Sequence, residues 1–179
     1  MKNIGLFGGT FDPIHYGHLE IAKCFLEKCN LEKCIFIPAK VSPFKTEEER
    51  MFSDEERFEQ VKKAIKDNAQ FEISDYEIFN DKNEVSYSID TIRFFHNKFK
   101  KANLFFLIGT DQALHFEKWK DYSEILKLVR IAIANRPEKI TLEEKNYINR
   151  IFNNSAIWLN NDIFPITSTE IRKRINKDF

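Results

Sequence analysis

Ile4-Gly5-Leu6-Phe7-Gly8-Gly9-Thr10-Phe11-Asp12-Pro13-Ile14-His15-Tyr16-Gly17-His18 carries three signals in a row. A short apolar run reads as a strand, Gly8-Gly9 breaks it into a turn, and a helical pattern starts near Leu19. A strand passing through a glycine turn into a helix is how a parallel α/β unit begins. The junction also suits an anion. Glycines let a backbone approach a phosphate closely. A helix N-terminus offers unpaired N–H groups and the positive end of its dipole. His15 and His18, three apart on one face of that turn, add imidazoles that an anion can draw into the charged form. The stretch predicts a grip for a polyphosphate, although it holds neither the dinucleotide fingerprint nor a P-loop lysine.

Working outward, strand and helix patterns alternate. Strands are expected at 2–7, 34–38, 71–76, 104–108, 130–134 and 156–159. Helices are expected at 17–29, 88–100, 111–119 and 122–129, and after three capping boxes: Ser53 to Glu56, Thr141 to Glu144 and Thr167 to Glu170. The first box leads into apolar Phe58, Val61, Ala64 and Ile65 at helical spacing. Residues 39–51 have no apolar period and read as a loop. The pattern predicts an α/β fold: one doubly wound parallel sheet, a single domain over 1–179. Ligands of such sheets bind beyond the carboxyl ends of the strands, where the 8–18 loop and Gly109-Thr110-Asp111 both fall.

Lys+Arg and Asp+Glu both number 28, so the formal net charge is zero. A general nucleic-acid or membrane-surface function, which needs a basic excess, is not expected. The 18 phenylalanines sit mostly in apolar runs and read as core. Cys24, Cys29 and Cys34 match no zinc spacing and are odd in number, so they read as reduced packing residues. With no signal peptide and no apolar stretch of membrane-spanning length, a cytoplasmic protein is expected.

Two further motifs could face the first. Ser168 and Arg172 lie at the start of the last helix, offering a second helix N-terminus and a guanidinium to phosphate. Asp111, just after the most apolar strand, can accept from ribose hydroxyls; its bland alternative is a helix N-cap.

Gly8-Gly9-Thr10-Phe11-Asp12-Pro13-x-His15-x-Gly17-His18 together with Ser168-Thr169-x-Ile171-Arg172 resembles the nucleotidylyltransferase superfamily with the His-x-Gly-His signature. Residues Ser86 to Ile92, Gly109 to Asp111 followed by Phe116 and Trp119, and Arg136-Pro137 make the chain most similar to the bacterial nicotinate-mononucleotide adenylyltransferases. The resemblance runs from residue 2 to about 174. It implies a Rossmann-like fold and transfer of the adenylyl group of ATP to nicotinate mononucleotide, giving deamido-NAD and pyrophosphate, with Mg2+ carried by the ATP phosphates.

By position, the resemblance implies that Gly8, Gly9, Thr10 and Phe11 shape the ATP site and that His15 and His18 contact its phosphates. Gly109 and Asp111 would hold the adenylate ribose, with Ser168 and Arg172 on the phosphates from the other side. His15, His18 and Arg172 would be the catalytic set. Lys45, Ser88, Trp119, the backbone amide of Lys120 and Arg136 would receive the nicotinate mononucleotide. The chain departs from that pattern in two places. Ser42-Pro43-Phe44-Lys45 stands where the family often has Pro-Pro-His and a cation, and Glu138 replaces a glycine. Two other readings stay open: a sibling transferase with another acceptor, such as nicotinamide mononucleotide or phosphopantetheine, and a nucleotide-binding regulator without turnover. Homo-oligomer contacts are left open.

Overall fold

The apolar run at 104–108 becomes the middle of the sheet. It lies in β4 (Ala102–Gly109), which pairs with β1 (Lys2–Gly9) on one side and β5 (Arg130–Ala134) on the other. β2 (Lys33–Pro38) and then β3 (Phe71–Ile73) extend the sheet beyond β1, and β6 (Ile157–Trp158) extends it beyond β5. The order is β3-β2-β1-β4-β5-β6, and every pair is parallel. This is the doubly wound α/β sheet that the pattern predicts. Its order reverses between β1 and β4, which opens a crevice at their carboxyl ends. The computed structural model describes residues 1–40, 50–79, 85–136, 140–162 and 166–175.

Alternation along each strand sorts the side chains into two cores. Leu104, Phe106 and Ile108 join Ile4, Leu6, Ile35, Ile37, Ile131 and Ile133 beneath α3 (Ser88–Lys98), α5 (Tyr122–Leu128) and α6 (Leu142–Ile151). Phe105 and Leu107 join Phe7, Cys34, Phe36, Ala132 and Ala134 beneath α1 (Tyr16–Lys28) and α2 (Asp54–Ile65). Gly5 points into the second core. A β-carbon there would lie 2.5 Å from Leu31 Cδ1 and 2.6 Å from Phe25 Cε1, so glycine is what lets α1 lie on β1. Among the described residues, α4 (Thr110–Ala113) and α7 (Ser168–Ile175) complete the α-helices.

All three capping boxes form. Ser53 and Glu56, Thr141 and Glu144, and Thr167 and Glu170 exchange reciprocal side-chain to backbone hydrogen bonds at α2, α6 and α7. Two expectations need correction. The strand expected at 71–76 stops at Ile73, because the chain turns at 75–79 and Tyr76 leaves the edge to stack on Phe94 at 4.0 Å. The helix expected at 111–119 is α4 followed by a separate 3-10 turn, Phe116–Lys118. In a 3-10 turn residues three apart eclipse, and Phe116 and Trp119 need that to enter the core side by side, 5.1 Å apart.

Phe7, Phe25, Phe36, Phe95, Phe106, Phe116 and Phe152 are core, as expected, whereas Phe79 and Phe94 are exposed. The cysteines are free. Burial pushes the thiols of Cys29, to about 11, and Cys34 upward, which suits packing and not reactivity. Among the described residues, no helix is long and apolar enough to cross a membrane.

Candidate active site

Gly8 and Gly9 do not turn the chain as expected: both stay in β1, paired with Ile37 and Pro38, and the chain leaves the sheet at Thr10, next to the end of β2. Ala39 N donates to Gly9 O at 2.9 Å, which fixes the two strand exits side by side. Phe11 then adopts φ +47°, in the left-handed region that non-glycine residues rarely occupy. Its ring packs in the core against Phe7 at 5.3 Å, Phe36 at 5.7 Å and His18 at 5.2 Å, and that burial offsets the backbone cost.

His15 caps α1, and its N–H donates to His18 Nδ1 at 3.2 Å. A neutral His18 that accepts at Nδ1 carries its proton on Nε2. His18 is 9% exposed and lines the crevice, so it is held as an Nε2–H donor. The His15 ring lies 3.8 Å from it, centroid to centroid, and His15 Nδ1 is buried with no hydrogen-bond partner. Burial first, and then the positive charge of Arg136, lower the His15 pKa to about 4. His15 is therefore neutral near pH 7 in the unliganded site.

A cavity of about 650 Å³ lies over the β1–β4 crevice. Gly8, Gly9, Thr10, Phe11, His15 and His18 line one part of it; Gly109, Asp111 and Arg136 line another. Ser168 contributes from α7, and Ser88 and Trp119 line the cavity too. Asp111 is not the cap of α4: Gly109 holds that position, and its N–H donates to Gln112 Oε1 at 3.0 Å. That removes the capping alternative and leaves the exposed Asp111 carboxylate facing Arg136, whose Nε donates to it at 3.3 Å. A β-carbon at Gly109 would fall on both groups and push these two side chains aside.

Other expected residues are placed less directly. Arg172 does not line the cavity; its Nη1 donates to Asp12 O at 2.6 Å and its Nη2 to Thr169 Oγ1 at 3.1 Å. Ser168 donates its hydroxyl to Pro13 O at 2.9 Å. In this state both fasten α7 to the glycine loop. Lys120 also lies off the cavity, its Nζ 3.7 Å from Asp90 Oδ2 and 4.4 Å from the centre of the Tyr87 ring. Lys45, the Ser42 to Phe44 stretch and Glu138 lie outside the described residues. Ser88 opens α3, whose N-cap Tyr87 makes no side-chain cap, so the first N–H groups of the helix have no side-chain acceptor at their cap.

Sequence reasoning missed four residues. Asp12 is 2% exposed, and its carboxylate accepts from Met51 N and Phe52 N, both at 3.0 Å. Glu77 lines the cavity, accepts from Thr91 Oγ1 at 2.6 Å and is raised in pKa by burial against the opposing hydrogen bonds from Thr91 and Ser86. His115 lines it too. Arg57 lies wholly buried behind the glycine loop. Only Arg57 left a signal: with Val61 and Ile65 it makes the i, i+4, i+8 stripe that faces the core.

Residues 6–174 match the cytidylyltransferase-like family. A protein of Clostridium acetobutylicum named "Probable nicotinate-nucleotide adenylyltransferase" is 38% identical over 181 residues, 99% of this chain and 89% of that protein. The chain belongs to the nicotinate-nucleotide adenylyltransferase family. A further member with that name, from Methylacidiphilum infernorum, is 37% identical and covers 98% of this chain and 81% of its own. Among solved structures, the nicotinic acid mononucleotide adenylyltransferase of Plasmodium falciparum, complexed with NaAD, shares the family fold with a TM-score of 0.76. It is 17% identical, and the match covers 97% of this chain and 83% of that one.

Proposed function

We propose that this protein transfers the adenylyl group of ATP to nicotinate mononucleotide, forming deamido-NAD and pyrophosphate in NAD biosynthesis, with residues 1–179 acting as one nucleotidylyltransferase domain in the cytoplasm. The observation that carries the reading is one cavity with two kinds of lining: the glycine backbone with paired imidazoles, and the start of α3 with Trp119.

The nucleophile is the acceptor's own phosphate oxygen, which attacks the α-phosphorus of ATP as pyrophosphate leaves. The protein need supply no nucleophile, and its work is positioning and charge stabilisation. His18 donates from Nε2 to the phosphate oxygens. His15, neutral when the site is empty, gains a proton or a donor role as phosphate arrives beside its unpartnered Nδ1. Asp111 exchanges Arg136 for the adenylate ribose, and Arg136 turns to phosphate. Arg172 and Ser168 hold the loop from α7. Trp119 offers its face to the pyridine ring, and Ser88 with the first amides of α3 meets its carboxylate.

Among the described residues no group of three His, Cys, Asp or Glu side chains is arranged to hold a metal ion. Asp12, the buried carboxylate of the loop, is spent on two backbone N–H groups. The residues fit a divalent ion that enters on the ATP phosphates and keeps its waters, the usual habit of Mg2+.

Pyrophosphate release from ATP, run side by side with nicotinate mononucleotide, its amide and phosphopantetheine, tests the reading. We expect turnover with the acid form and a kcat/KM at least about tenfold lower with the amide, a gap of about 1.4 kcal/mol in transition-state binding. Equal kcat/KM for acid and amide overturns the carboxylate contact, and ATP binding without pyrophosphate release overturns the transferase.

A further inference from the structure

We infer that Arg57 is a positioning residue for the ATP half of the site: it fixes one peptide plane of the glycine loop so that the Phe11 N–H is presented to a substrate phosphate. The inference rests on the adenylyl-transfer reading above, and it assigns a part in that site to a residue outside the cavity.

Arg57 is 0% exposed and sits on the core stripe of α2. Its Nη1 donates to Thr10 O at 2.5 Å, and its Nη2 donates to Ala39 O at 2.7 Å and Asp54 Oδ1 at 2.6 Å. Two of these acceptors are the first carbonyls beyond β1 and β2. Asp54 also pairs with Arg50 at 2.9 Å, and Arg50 Nη1 donates to Lys40 O at 2.7 Å. Three strand-exit carbonyls, one after β1 and two after β2, are thus held by two guanidinium groups that share one carboxylate.

Stability alone does not account for this arrangement. A buried ionic cluster is often no better for stability than apolar residues of the same volume. Here the cluster is also imperfect for that purpose, because Arg57 Nε is buried without a partner. What the cluster does achieve is direction. A trans peptide is planar, with its C=O and the next N–H pointing opposite ways. The Thr10–Phe11 bond is trans, since the Asp12-Pro13 bond is the cis one in this loop. Arg57 draws the Thr10 carbonyl toward α2, behind the cavity wall. The Phe11 N–H must then point to the cavity side, which Thr10 and Phe11 line and Arg57 does not. Among the described residues nothing accepts from that N–H. The left-handed φ of Phe11 is held by the same restraint.

Arg57→Lys keeps the charge but cannot reach three acceptors in a fork. In steady-state pyrophosphate release, we expect the KM for ATP to rise roughly tenfold or more and kcat to fall. The KM for nicotinate mononucleotide should stay within about twofold, the pattern of a misplaced donor at one end of the site. In 15N-labelled protein, the Phe11 amide resonance should shift when ATP is added to the parent and shift far less in Arg57→Lys. A purely structural role would lower Tm and leave that response in place. If Arg57→Lys does not fold, Asp54→Asn serves instead: it lies outside the cavity, touches the loop only through Arg57 and Arg50, and should raise the KM for ATP about threefold with a weakened Phe11 response. A folded variant with parental KM for ATP and a parental Phe11 shift overturns the inference. A parent that binds ATP, shifts at Phe11 and releases no pyrophosphate overturns the transferase reading and leaves the role of Arg57 standing.

Discussion

At the scale of single residues, the site is set by where protons sit. The hydrogen bond from His15 N–H makes His18 Nδ1 an acceptor, so a neutral His18, which lines the crevice, carries its proton on Nε2. Replacing His18 by Ala removes that donor. We expect kcat to drop roughly 100-fold or more, the scale of losing one preorganised donor to developing charge. Pyrophosphate release by the folded variant is the measurement, and near-parental kcat would contradict the role. His15 makes a different statement. Its folded pKa is about 4, against 6.5 for the free side chain. As pH falls through 6.5 the unfolded chain takes up this proton and the folded chain does not. The contribution costs nothing above 6.5, grows down to about 4 and is constant below that. His15→Gln should therefore lose less stability than the parent between pH 6.5 and 4 in urea titrations. An identical loss in both would show that His15 is not held neutral.

At the scale of elements, the sequence was most readable where local chemistry and packing agree. The three capping boxes and the alternation of Leu104 to Ile108 needed no partner to be recognised, and all appear in the structure. It was least readable where a distant residue decides. The turn that holds Tyr76 answers to Phe94, and the 3-10 turn at Phe116 answers to the core beneath it. Arg57 shares the core stripe of α2 with Val61 and Ile65, but its acceptors are carbonyls of other segments, which the helix pattern does not show. In the same way the sequence gives no sign that Arg172 donates to the distant Asp12 carbonyl, which ties α7 to the loop, and to Thr169 Oγ1 on its own helix. Gly5 was read only as part of a strand, yet it sets how closely α1 approaches. Gly5→Ala would drive a methyl against Phe25 and Leu31. We expect a loss of about 1–3 kcal/mol in urea unfolding, the usual cost of overpacking. Unchanged stability would mean that α1 shifts freely on β1.

At the scale of the whole molecule, the two ends of the cavity are brought together by topology. Residues 8–18 run from the end of β1 and residues 109–111 from the end of β4, far apart in sequence but adjacent where the strand order reverses. Ser88 and Trp119 reach the same crevice from α3 and from the turn after α4, so each half of the site depends on the sheet as a unit. A ligand that spans both halves should then bind as one body, with the second half nearly free of the translational cost already met by the first. Deamido-NAD is such a ligand; AMP and nicotinate mononucleotide are its halves. At equal millimolar concentration, deamido-NAD should raise Tm by more than the two shifts of AMP and nicotinate mononucleotide added together. The reason is that stabilisation grows as RT ln(1 + [L]/Kd) and linking the halves lowers Kd by roughly 100-fold or more. Thermal unfolding with each ligand alone, with both halves together and with the product decides it. A product shift no larger than that of the better half would mean that the two ends of the cavity do not act as one site.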